Sequence, residues 1–467
     1  MRINRLHLWF LLGAALLIRL LSLAAYPLMD TTEARYGEMA RLMFETGNWV
    51  TPQFDYGVPF WGKPPLFTWM STIGIEAFGV NEFAVRFPHW LAGLAVIGLI
   101  ARFIHKQGFS GLLTAVVLAT CGIFSISAGA VMTDMALTLG MTLAMLGFYQ
   151  CWQGSKAWGY IGFIGLAIGM LAKGPLILVL FGIAVLPWLI LQHGLIGAIK
   201  ELSARFPLVG GTALLFALSL PWYLLAEQAT PGFLEYFIVG EHFSRFVVSG
   251  WEGDLYGSAH DEVRGAIWWF WLYSAAPWSV VLPLLFCWKQ KKGLKHLLKQ
   301  SPLFSFLLFW LISPMLLFTF AGNILPAYVL PGIPALAGLI AILLDDIDRD
   351  ALWVKLTAGV VPVLLVAAAM VLQQGIGDER SDKVLLAKTT PKVTTYYVGK
   401  RPFSGQFYSA GQAKKLTDWS EIDKLRQVQL IGKQHRLDEI VQSKKLNCII
   451  ETNPHNRRSL YKCENNS

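Results

Sequence analysis

Residues 6–28 read LHLWFLLGAALLIRLLSLAAYPL, and the polar stretch MDTTEARYGEM follows directly at residues 29–39. Crossing ~30 Å of hydrocarbon takes about 20 apolar residues, so the first stretch is predicted to be a membrane span. It is too long for a signal-peptide core, and no convincing cleavage site follows Ala25, which predicts that the span is retained. Arg19 inside it is expected to snorkel or to pair within the helix bundle, with a functional role as the alternative.

Apolar runs of similar length recur along most of the chain. Of its 467 residues, 55% are hydrophobic and only 15% are charged, and the mean hydropathy is +0.49. This composition excludes a soluble globular protein and predicts a polytopic α-helical membrane domain over residues 1–373. The shorter stretch PPLFTWMSTIGIEAFGV, residues 64–80, carries Glu76 and is predicted to be a re-entrant or interfacial helix. About eleven spans are predicted, at residues 7–28, 87–104, 111–131, 135–150, 157–172, 174–193, 207–226, 266–288, 302–320, 325–344 and 352–373.

The basic residues of the short loops predict the orientation, because they bias a loop to stay in the cytoplasm. Counting spans from the N-terminal arginines puts four basic loops on the cytoplasmic side, whereas the acidic loop DDIDRD at 345–350 is a weak objection. The same count places two long segments, residues 29–86 and 227–265, on the outer face together with the tail. The four loops are RFIHKQ at 102–107, QGSK at 153–156, KELSAR at 200–205 and KQKKGLKHLLKQ at 289–300.

The composition changes at about residue 374, and residues 374–467 are predicted to form a small α/β domain. This tail has 17 lysines and arginines against 10 acidic residues, which suits either a neighbouring anionic lipid surface or simple solubility. Cys448 and Cys463 could form a disulfide if the tail is exported, whereas the other three cysteines are expected to be core thiols. The predicted strands are TTYYVG at 394–399, GQFYSAG at 405–411 and NCIIETN at 447–453, with a helix in LTDWSEIDKLRQ at 416–427.

The first outer loop opens with a pattern typical of an amphipathic surface helix that ends at Gly47. Its apolar face is formed by Tyr36, Met39, Ala40, Met43 and Phe44, and its polar face by Glu33, Arg41 and Glu45.

Asp30 and Glu33 at the start of that helix have the spacing of a capping box. Thr31 or Thr32 could cap equally well, so a functional role for the acidic pair is the favoured interpretation.

Four further polar residues fall in the first outer loop or at outer span ends. Lys63 stands between a glycine and two prolines that fix its backbone, which aims a cation unless the lysine merely snorkels. Asp134 either caps the fourth span or has a function. Lys173 and Tyr328 can be read as ordinary interfacial residues.

The second outer segment contains FIVGEHFSRFVVSG at residues 237–250, in which Glu241, His242 and Arg245 lie within five residues. A helical spacing of three would put His242 and Arg245 on one face. The segment has too few ligands for a metal site to be claimed. Because all these residues map to one membrane face, we expect one site at headgroup depth. Its cations suit a lipid phosphate and its carboxylates suit proton removal from a nucleophile.

Several stretches together resemble a known family over nearly all of residues 1–345. They are DTTEARYGEMARLMFETGNWVTPQFDYGVPFWGKPPLFTWM at 30–70, GVNEFAVRFPHW at 79–90, LAKGPLILVL at 171–180, EHFSRF at 241–246 and YVLPGIPALA at 328–337. The chain resembles bacterial membrane glycosyltransferases related to the protein O-mannosyltransferases, and especially the lipid A aminoarabinose transferases.

The resemblance implies a GT-C fold and transfer of a sugar from a polyprenyl phosphate, such as undecaprenyl phosphate, with inversion at the periplasmic face of a bacterial inner membrane. The acceptor would be lipid A, a glycan or a protein, with membrane lipids as neighbours and no nucleic acid. A requirement for a divalent cation is left open.

The resemblance also assigns roles to residues. Asp30 and Glu33 would be catalytic, and Asp134, Glu241 and His242 would support them. The family usually has an adjacent aspartate and glutamate, but its aspartate falls on Thr32 here, so the choice of base stays open between Asp30 and Glu33. Lys63, Arg245 and Tyr328 match family positions that hold the donor phosphate, and we expect Arg35 and Lys173 to bind it as well.

Two other classes of protein are alternatives. A transporter or flippase of lipid-linked sugars would also need many spans, but such sites usually lie near the bilayer midplane, whereas only Arg19 is a midspan charge here. A non-catalytic scaffold would leave the charges at the loop ends unexplained.

Overall fold

The computed structural model describes residues 5–248, 251–257, 262–289, 301–345, 352–452 and 457–464. A bundle of long apolar helices forms its larger part. The helices up to residue 229 are α1 Arg5–Ser22, α2 Thr32–Thr46, α3 Leu66–Phe78, α4 Glu82–Lys106, α5 Gly111–Ala119, α6 Gly122–Ser127, α7 Thr133–Trp152, α8 Lys156–Lys173, α9 Leu176–Arg205 and α10 Leu208–Ala229. A π-helical segment Glu235–Ser244 leads into α11 Arg245–Val247, followed by α12 Ala266–Ser274, α13 Trp278–Lys289, α14 Pro302–Phe318, a 3₁₀ segment Pro326–Gly332, α15 Ile333–Leu343 and α16 Leu352–Gln373.

Each of the eleven predicted spans overlaps one or two of these helices. Six helical stretches in the described residues are long and apolar enough to cross a membrane, while α1 and α14 are shorter. The eighth predicted span is two helices, α12 and α13, bent by 99°. Pro277 lies between them, and proline cannot continue the hydrogen-bond ladder of a helix. The third predicted span is also broken, between α5 and α6, where Trp278 donates to the Thr120 hydroxyl at 2.9 Å.

Glycines allow α7 and α8 to pack against each other with their backbones close. A Cβ on Gly165 of α8 would lie 2.5 Å from the Ala144 backbone nitrogen of α7. A Cβ on Gly147 of α7 would lie 2.5 Å from the Cα of Gly162 in α8. Small residues permit this close approach and the dispersion contacts that come with it, which is how helices associate in lipid.

Three of the loops predicted to be cytoplasmic meet at one end of the bundle. The side-chain amides of Gln107 and Gln153 bond each other at 3.2 Å, and Arg205 donates to the Trp152 carbonyl at 2.7 Å. The basic loop KQKKGLKHLLKQ lies outside the described residues, except at its first position, and so does DDIDRD after Asp345. Which compartment this end faces stays a prediction.

Arg19 pairs inside the bundle, as its non-functional interpretation predicted. The side chain is buried and donates to the carbonyls of Ala128 at 2.7 Å and Ile126 at 2.9 Å. These carbonyls lie at the end of α6, where the helix leaves them without a partner. Arg19 thereby stabilises the turn that leads into α7.

The prediction that α2 lies on the membrane surface with a charged face toward water is wrong. Arg41, expected on that face, is 2% exposed and bonds the equally buried Glu38 at 2.7 Å, and it also contacts Glu45. The tail covers part of the helix, so Arg41 and Glu38 pair with each other instead of with solvent, whereas Glu45 stays about half exposed. Gly47 ends the helix in the left-handed conformation, as predicted, with φ at 66°.

The C-terminal segment forms a five-stranded sheet. Its strands are β3 Thr395–Tyr397, β4 Lys414–Lys415, β5 Gln427–Gly432, β6 Asn447–Thr452 and β7 Ser459–Glu464, after the first-loop hairpin β1 Gln53–Asp55 and β2 Val58–Pro59. The spatial order is β4-β3-β5-β7-β6, with β3 parallel to both β4 and β5. The short helices are α17 Lys383–Ala387, α18 Phe403–Tyr408, α19 Ser420–Asp423 and α20 Gln434–Lys444. Cys448 and Cys463 are paired in register on β6 and β7 and form a disulfide.

The predicted small α/β domain is therefore present, but part of its detail is wrong. GQFYSAG is helical in α18, because Phe407 packs against Gly37 of α2 and the neighbouring Tyr408 hydroxyl donates to Glu82 at 2.8 Å. These contacts with the membrane part override a strand-like local sequence. The helix predicted at 416–427 is only the single turn of α19, and the longer α20 was not predicted.

Candidate active site

A cavity of about 910 Å³ lies between the ends of the membrane helices and the tail. It is at the end of the bundle opposite the Gln107 and Gln153 loops. The first loop, the start of α7, the end of α8, the segment after α10 and the 3₁₀ segment before α15 form one wall, and the tail forms the other. Seven of the ten predicted site residues line this cavity: Arg35, Lys63, Asp134, Lys173, Glu241, Arg245 and Tyr328.

Glu241 joins two cations that are far apart in sequence. Its Oε2 accepts from Lys63 Nζ at 2.7 Å and from Arg245 Nη1 at 3.0 Å. Arg245 also reaches Asp254 at 3.4 Å. Burial works to raise the pKa of Glu241, but Lys63 and Arg245 outweigh it and hold that pKa at about 2. The carboxylate is therefore ionised at neutral pH and fixes both cations at the cavity surface.

The π-helical segment Glu235–Ser244 determines which side chains of this stretch face the cavity. Its wider turns direct the ring of His242 away from the cavity, to the carbonyls of Phe237 at 2.8 Å and Lys173 at 3.0 Å. The expectation that His242 and Arg245 share a face is wrong, since Arg245 contacts Glu241 and Asp254 instead. Burial lowers the pKa of His242, and a neutral ring donates to only one of these two carbonyls. His242 supports the site from outside the cavity, because its ring connects the π-helical segment to the end of α8.

Lys173 and Asp134 form a second ion pair in the cavity wall. Lys173 Nζ lies 2.7 Å from Asp134 Oδ1 and 4.1 Å from the ring centroid of Tyr328. The interpretation of Asp134 as a helix cap is wrong, because α7 begins one residue earlier and shows no side-chain cap. Tyr328 therefore borders a fixed ammonium group, which it contacts through its ring face.

Arg35 is held over aromatic rings at the edge of the cavity. Its guanidinium carbon lies 5.1 Å from the ring centroid of Tyr36, and its Nη1 donates to the Tyr256 carbonyl at 2.7 Å. Its buried Nε has no hydrogen-bond partner among the described residues. The guanidinium of Arg35 is therefore held in a fixed orientation, and its Nε–H is still free to donate a hydrogen bond.

The two predicted catalytic carboxylates lie just outside the cavity lining. Asp30 accepts from the Ser404 backbone N–H at 3.2 Å and from the Ser404 hydroxyl, and burial raises its pKa. Glu33 accepts two hydrogen bonds from Arg86, at 2.9 and 2.7 Å. Burial acts to raise the pKa of Glu33, but Arg86 outweighs it and the pKa is lowered. Neither carboxylate forms a capping box, and α2 begins without a side-chain cap.

Thr32, at the position where the family usually has its aspartate, does line the cavity, as does Thr31. A threonine hydroxyl is not a base near neutral pH, so Thr32 cannot take over the role of that aspartate. The catalytic assignment of Asp30 and Glu33 remains a prediction.

Sequence reasoning missed the tail's share of the cavity. Arg401 forms an ion pair with Asp55 of the first loop, in which Nη2 contacts both carboxylate oxygens, at 2.8 and 2.7 Å. The excess of basic residues in the tail indicated a positively charged surface, but composition alone does not identify which basic residues face the membrane part. The tail residues that line the cavity are Gly399, Lys400, Arg401, Phe403, Gln406, Lys415 and Arg436. Across the described ranges, no three His, Cys, Asp or Glu side chains are grouped closely enough to hold a metal ion.

Comparisons with known proteins agree with this architecture. Residues 9–237 match the family described as dolichyl-phosphate-mannose-protein mannosyltransferase. The undecaprenyl phosphate-α-4-amino-4-deoxy-L-arabinose arabinosyl transferase of Edwardsiella ictaluri is 34% identical over 350 residues, which are 71% of this chain and 58% of that protein. The transferase of the same name from Erwinia tasmaniensis is 33% identical over 358 residues, 73% of this chain and 60% of that protein. The match thus spans about three fifths of the length of these curated relatives.

Two solved structures share the fold. They are crystal structures of ArnT from Cupriavidus metallidurans, one bound to undecaprenyl phosphate and one in the apo state, with TM-scores of 0.74 and 0.72. Each is 18% identical in sequence, and the match covers 97% of both chains. The predicted GT-C fold with a small C-terminal α/β region is confirmed.

Proposed function

Because residues 9–237 match the protein mannosyltransferase family and the curated relatives are aminoarabinose transferases, we propose that the chain transfers a sugar from undecaprenyl phosphate to an extracytoplasmic acceptor. The names of its relatives make an aminoarabinose donor the first candidate. Lipid A, a glycan or a protein would be the acceptor, and the lipids of the membrane would surround the donor chain.

This proposal rests on the ion pairs that Lys63 and Arg245 both form with Glu241 at the cavity surface. Lys63 is 178 positions from Glu241 in the sequence, yet Lys63 and Arg245 contact the same carboxylate oxygen, at 2.7 and 3.0 Å. Two fixed cations beside a cavity suit the phosphate of a lipid-linked sugar. Negative charge grows on that phosphate as the sugar bond breaks, and cations that are already in place stabilise it without reorganisation.

The reaction would proceed as one displacement with inversion. An oxygen of the acceptor attacks the anomeric carbon, and the bond from that carbon to the phosphate oxygen breaks with its electron pair going to the phosphate. A hydroxyl acceptor would give its proton to a carboxylate, for which Asp30 and Glu33 are the candidates. A phosphate acceptor would need positioning more than proton removal. Tyr328, Lys173 and Arg35 would complete the donor-phosphate site.

We place the cavity and the tail on the periplasmic side of a bacterial inner membrane. The basic loops at the other end of the bundle support this orientation. So does the disulfide between Cys448 and Cys463, because disulfides persist in oxidising compartments such as the periplasm.

The test is a transfer assay with the purified full chain and undecaprenyl-phosphate-linked aminoarabinose. We expect release of undecaprenyl phosphate and a loss of at least about 10²-fold in rate for Lys63→Ala, as for other removed charge-stabilising groups. Lys414→Ala is the matched control, because Lys414 is an exposed tail lysine that does not line the cavity. A wild-type rate for Lys63→Ala would show that Lys63 does not contribute to the site. Translocation of the intact lipid-linked sugar without cleavage would instead identify a flippase.

A further inference from the structure

A serine of the tail holds the carboxylate of Asp30 by two hydrogen bonds. The backbone N–H of Ser404 donates to Oδ1 at 3.2 Å, and the Ser404 hydroxyl donates to Oδ2. The backbone N–H of Asp30 donates in turn to the Arg380 carbonyl at 2.7 Å. Thr31 and Phe403, which are the neighbours of Asp30 and Ser404, both line the cavity, so this contact lies directly beside it. The tail therefore fixes a carboxylate that belongs to the first outer loop.

A second aspartate of the tail fixes Ser404. The Ser404 hydroxyl accepts from the backbone N–H of Asp382 at 3.1 Å. A backbone N–H can only donate, so this bond favours the orientation in which the hydroxyl proton points to Asp30. Ser404 and Asp382 are both fully buried, which keeps water away from the bond between them. The chain of donors thus runs from Asp382 through Ser404 to Asp30 and stabilises the ionised carboxylate of Asp30.

The side chain of Asp382 is itself held from two sides within the tail. Tyr397, at the end of β3, donates to Oδ2 at 3.0 Å, and Arg458, just before β7, forms an ion pair with Oδ1 at 3.0 Å. Burial raises the pKa of Tyr397, so its hydroxyl remains a donor at neutral pH. The tyrosine packs closely on α18 at Gly405, where a Cβ would lie 2.4 Å from the tyrosine oxygen. The packing of the tail core therefore determines where Asp382 and Ser404 lie.

Asp382 and Arg458 affect the charge of Asp30 in opposite directions. Burial raises the pKa of Asp30, the hydrogen bonds from Ser404 lower it, Asp382 raises it and Arg458 lowers it. While the buried ion pair is intact, the effects of its two charges oppose each other. Removal of either partner would leave Asp30 beside the unopposed charge of the other.

The neighbouring charged groups from the first loop, α4 and the start of the tail give a constant background. Two of the neighbouring carboxylates are already bonded to cations, in the pairs Glu33–Arg86, at 2.7 Å, and Glu82–Lys383. Arg380 contacts Asp30 through its carbonyl, and its side chain is exposed, where salt screens its charge. These groups are unchanged when the buried pair of the tail is altered.

We infer that Ser404, Asp382 and Arg458 are positioning residues that hold the Asp30 carboxylate and its charge at the edge of the cavity. The inference rests on the proposed function, in which Asp30 is one of two candidates for the base. Each carboxylate oxygen has two lone pairs, so Asp30 keeps an acceptor site on each oxygen while it is bonded to Ser404. A hydroxyl acceptor would give its proton to one of these sites as its oxygen bonds to the anomeric carbon. The tail thereby contributes to proton removal through residues that do not contact the substrate.

The test changes the two partners of the buried pair separately and together. Asp382→Asn removes the negative charge and Arg458→Gln removes the positive charge, and both positions lie outside the cavity lining in the described part of the chain. The double variant removes both charges. Asp423→Asn and Lys444→Gln are the matched controls, because these two residues form an ion pair at 2.7 Å on the exposed surface of the tail.

Two properties of the purified full chain are measured as functions of pH. The first is kcat/KM for transfer, and the second is the ionisation of Asp30, followed by infrared spectroscopy of protein with ¹³C in its aspartate side-chain carboxyls. Subtracting the spectrum of Asp30→Asn made in the same background isolates the signal of Asp30. Thermal unfolding shows whether each variant is folded. Arg458 is partly exposed, so Arg458→Gln decides the matter if Asp382→Asn does not fold.

We expect Arg458→Gln to move both the ionisation of Asp30 and the acid limb of kcat/KM to higher pH, by at least about half a pH unit. Asp382→Asn should move both to lower pH, the double variant should lie near the wild type, and the controls should not move. A purely structural role would lower the rate or the unfolding temperature in both single variants without opposite shifts. Absent shifts, shifts of the same sign, or infrared shifts that kcat/KM of the active enzyme does not follow would overturn the inference.

The two measurements also separate this inference from the proposed function. Opposite infrared shifts in a protein that transfers no sugar would leave the positioning of Asp30 standing and reject the proposed function. An active wild type whose Asp30 ionisation is the same in all variants would reject the inference and leave the proposed function standing.

Discussion

Glu241 is the residue on which the positions of Lys63 and Arg245 depend. With a pKa held at about 2, it remains ionised across the range in which enzymes usually work. Its contribution to the ion pairs is present above its ordinary pKa and is lost only as the pH falls toward 2. Lys63 and Arg245 therefore keep their positions from mildly acidic to neutral pH. A fall in activity within that range must come from another group.

Asp30 is the candidate for that group, and Ser404 gives a way to test it. Burial raises the pKa of Asp30, and the hydrogen bonds from Ser404 oppose the rise. A base acts only when ionised, so the rate should fall as the pH drops through this raised pKa. Ser404→Ala removes the hydroxyl bond and should move the acid limb of the kcat/KM profile to higher pH. Ser409→Ala, whose hydroxyl bonds the Gly405 carbonyl in the same short helix, is the control. An unmoved limb for Ser404→Ala would exclude Asp30 as the base.

Asp30→Asn and Glu33→Gln should differ in what they damage. Glu33 neutralises the fully buried Arg86, and leaving a buried charge unpaired costs about 3–5 kcal/mol, so Glu33→Gln should lower the unfolding temperature. Asp30→Asn keeps a hydrogen-bond acceptor for Ser404, so it should fold normally and lose turnover. Thermal unfolding and turnover are measured on both variants. Wild-type turnover in both would end the carboxylate hypothesis.

The polar residues found from the sequence were those in the predicted outer segments and at predicted span ends. Lys63, Asp134, Lys173, Arg245 and Tyr328 could be placed on one face because a topology count needs only the apolar runs and basic loops. Their partners could not be placed, since pairing depends on packing between segments hundreds of residues apart. The tail cations were missed for the same reason, because only the folded sheet brings them to one edge.

At the scale of elements, the contact between α7 and α8 is the most constrained in the membrane part. Gly165→Val would force side-chain atoms into the α7 backbone and push the helices apart, which should lower the unfolding temperature and the yield of folded protein. Gly98→Val in α4 is the matched control, because its added Cβ meets nothing within 4 Å. Both are measured in detergent by thermal unfolding. Equal stability of the two variants would contradict the packing described for α7 and α8.

Long apolar helices were predictable and the short outer elements were not. For a run such as residues 352–373, length and composition alone are enough to predict a membrane helix, and α16 has those bounds. α2 and α18 pack against each other between the membrane part and the tail, so their environments are set by tertiary contacts. The local patterns therefore predicted an exposed helix and a strand where the structure has two buried helices.

At the scale of the whole molecule, both outer segments must face the same compartment as the tail if their residues are to form one site. Single cysteines at Tyr56 and Val247, which are 42% and 58% exposed near Lys63 and Arg245, should react with a membrane-impermeant maleimide added to spheroplasts. A cysteine at the exposed Lys106 should react only after permeabilisation. Cys287 is exposed and is first changed to serine in all variants. Labelling of the Tyr56 and Val247 positions from opposite sides would contradict the topology.

Residues from the membrane part and from the tail line the cavity. The proposed function requires that Lys63 and Arg245 together bind a polyprenyl phosphate. The most direct measurement is the dissociation constant of undecaprenyl phosphate for the purified wild type, Lys63→Ala, Arg245→Ala and the Lys414→Ala control. We expect each of the first two changes to weaken binding at least about tenfold, equivalent to about 1.4 kcal/mol, and the control to leave it unchanged. Wild-type affinity in both Lys63→Ala and Arg245→Ala would contradict the account.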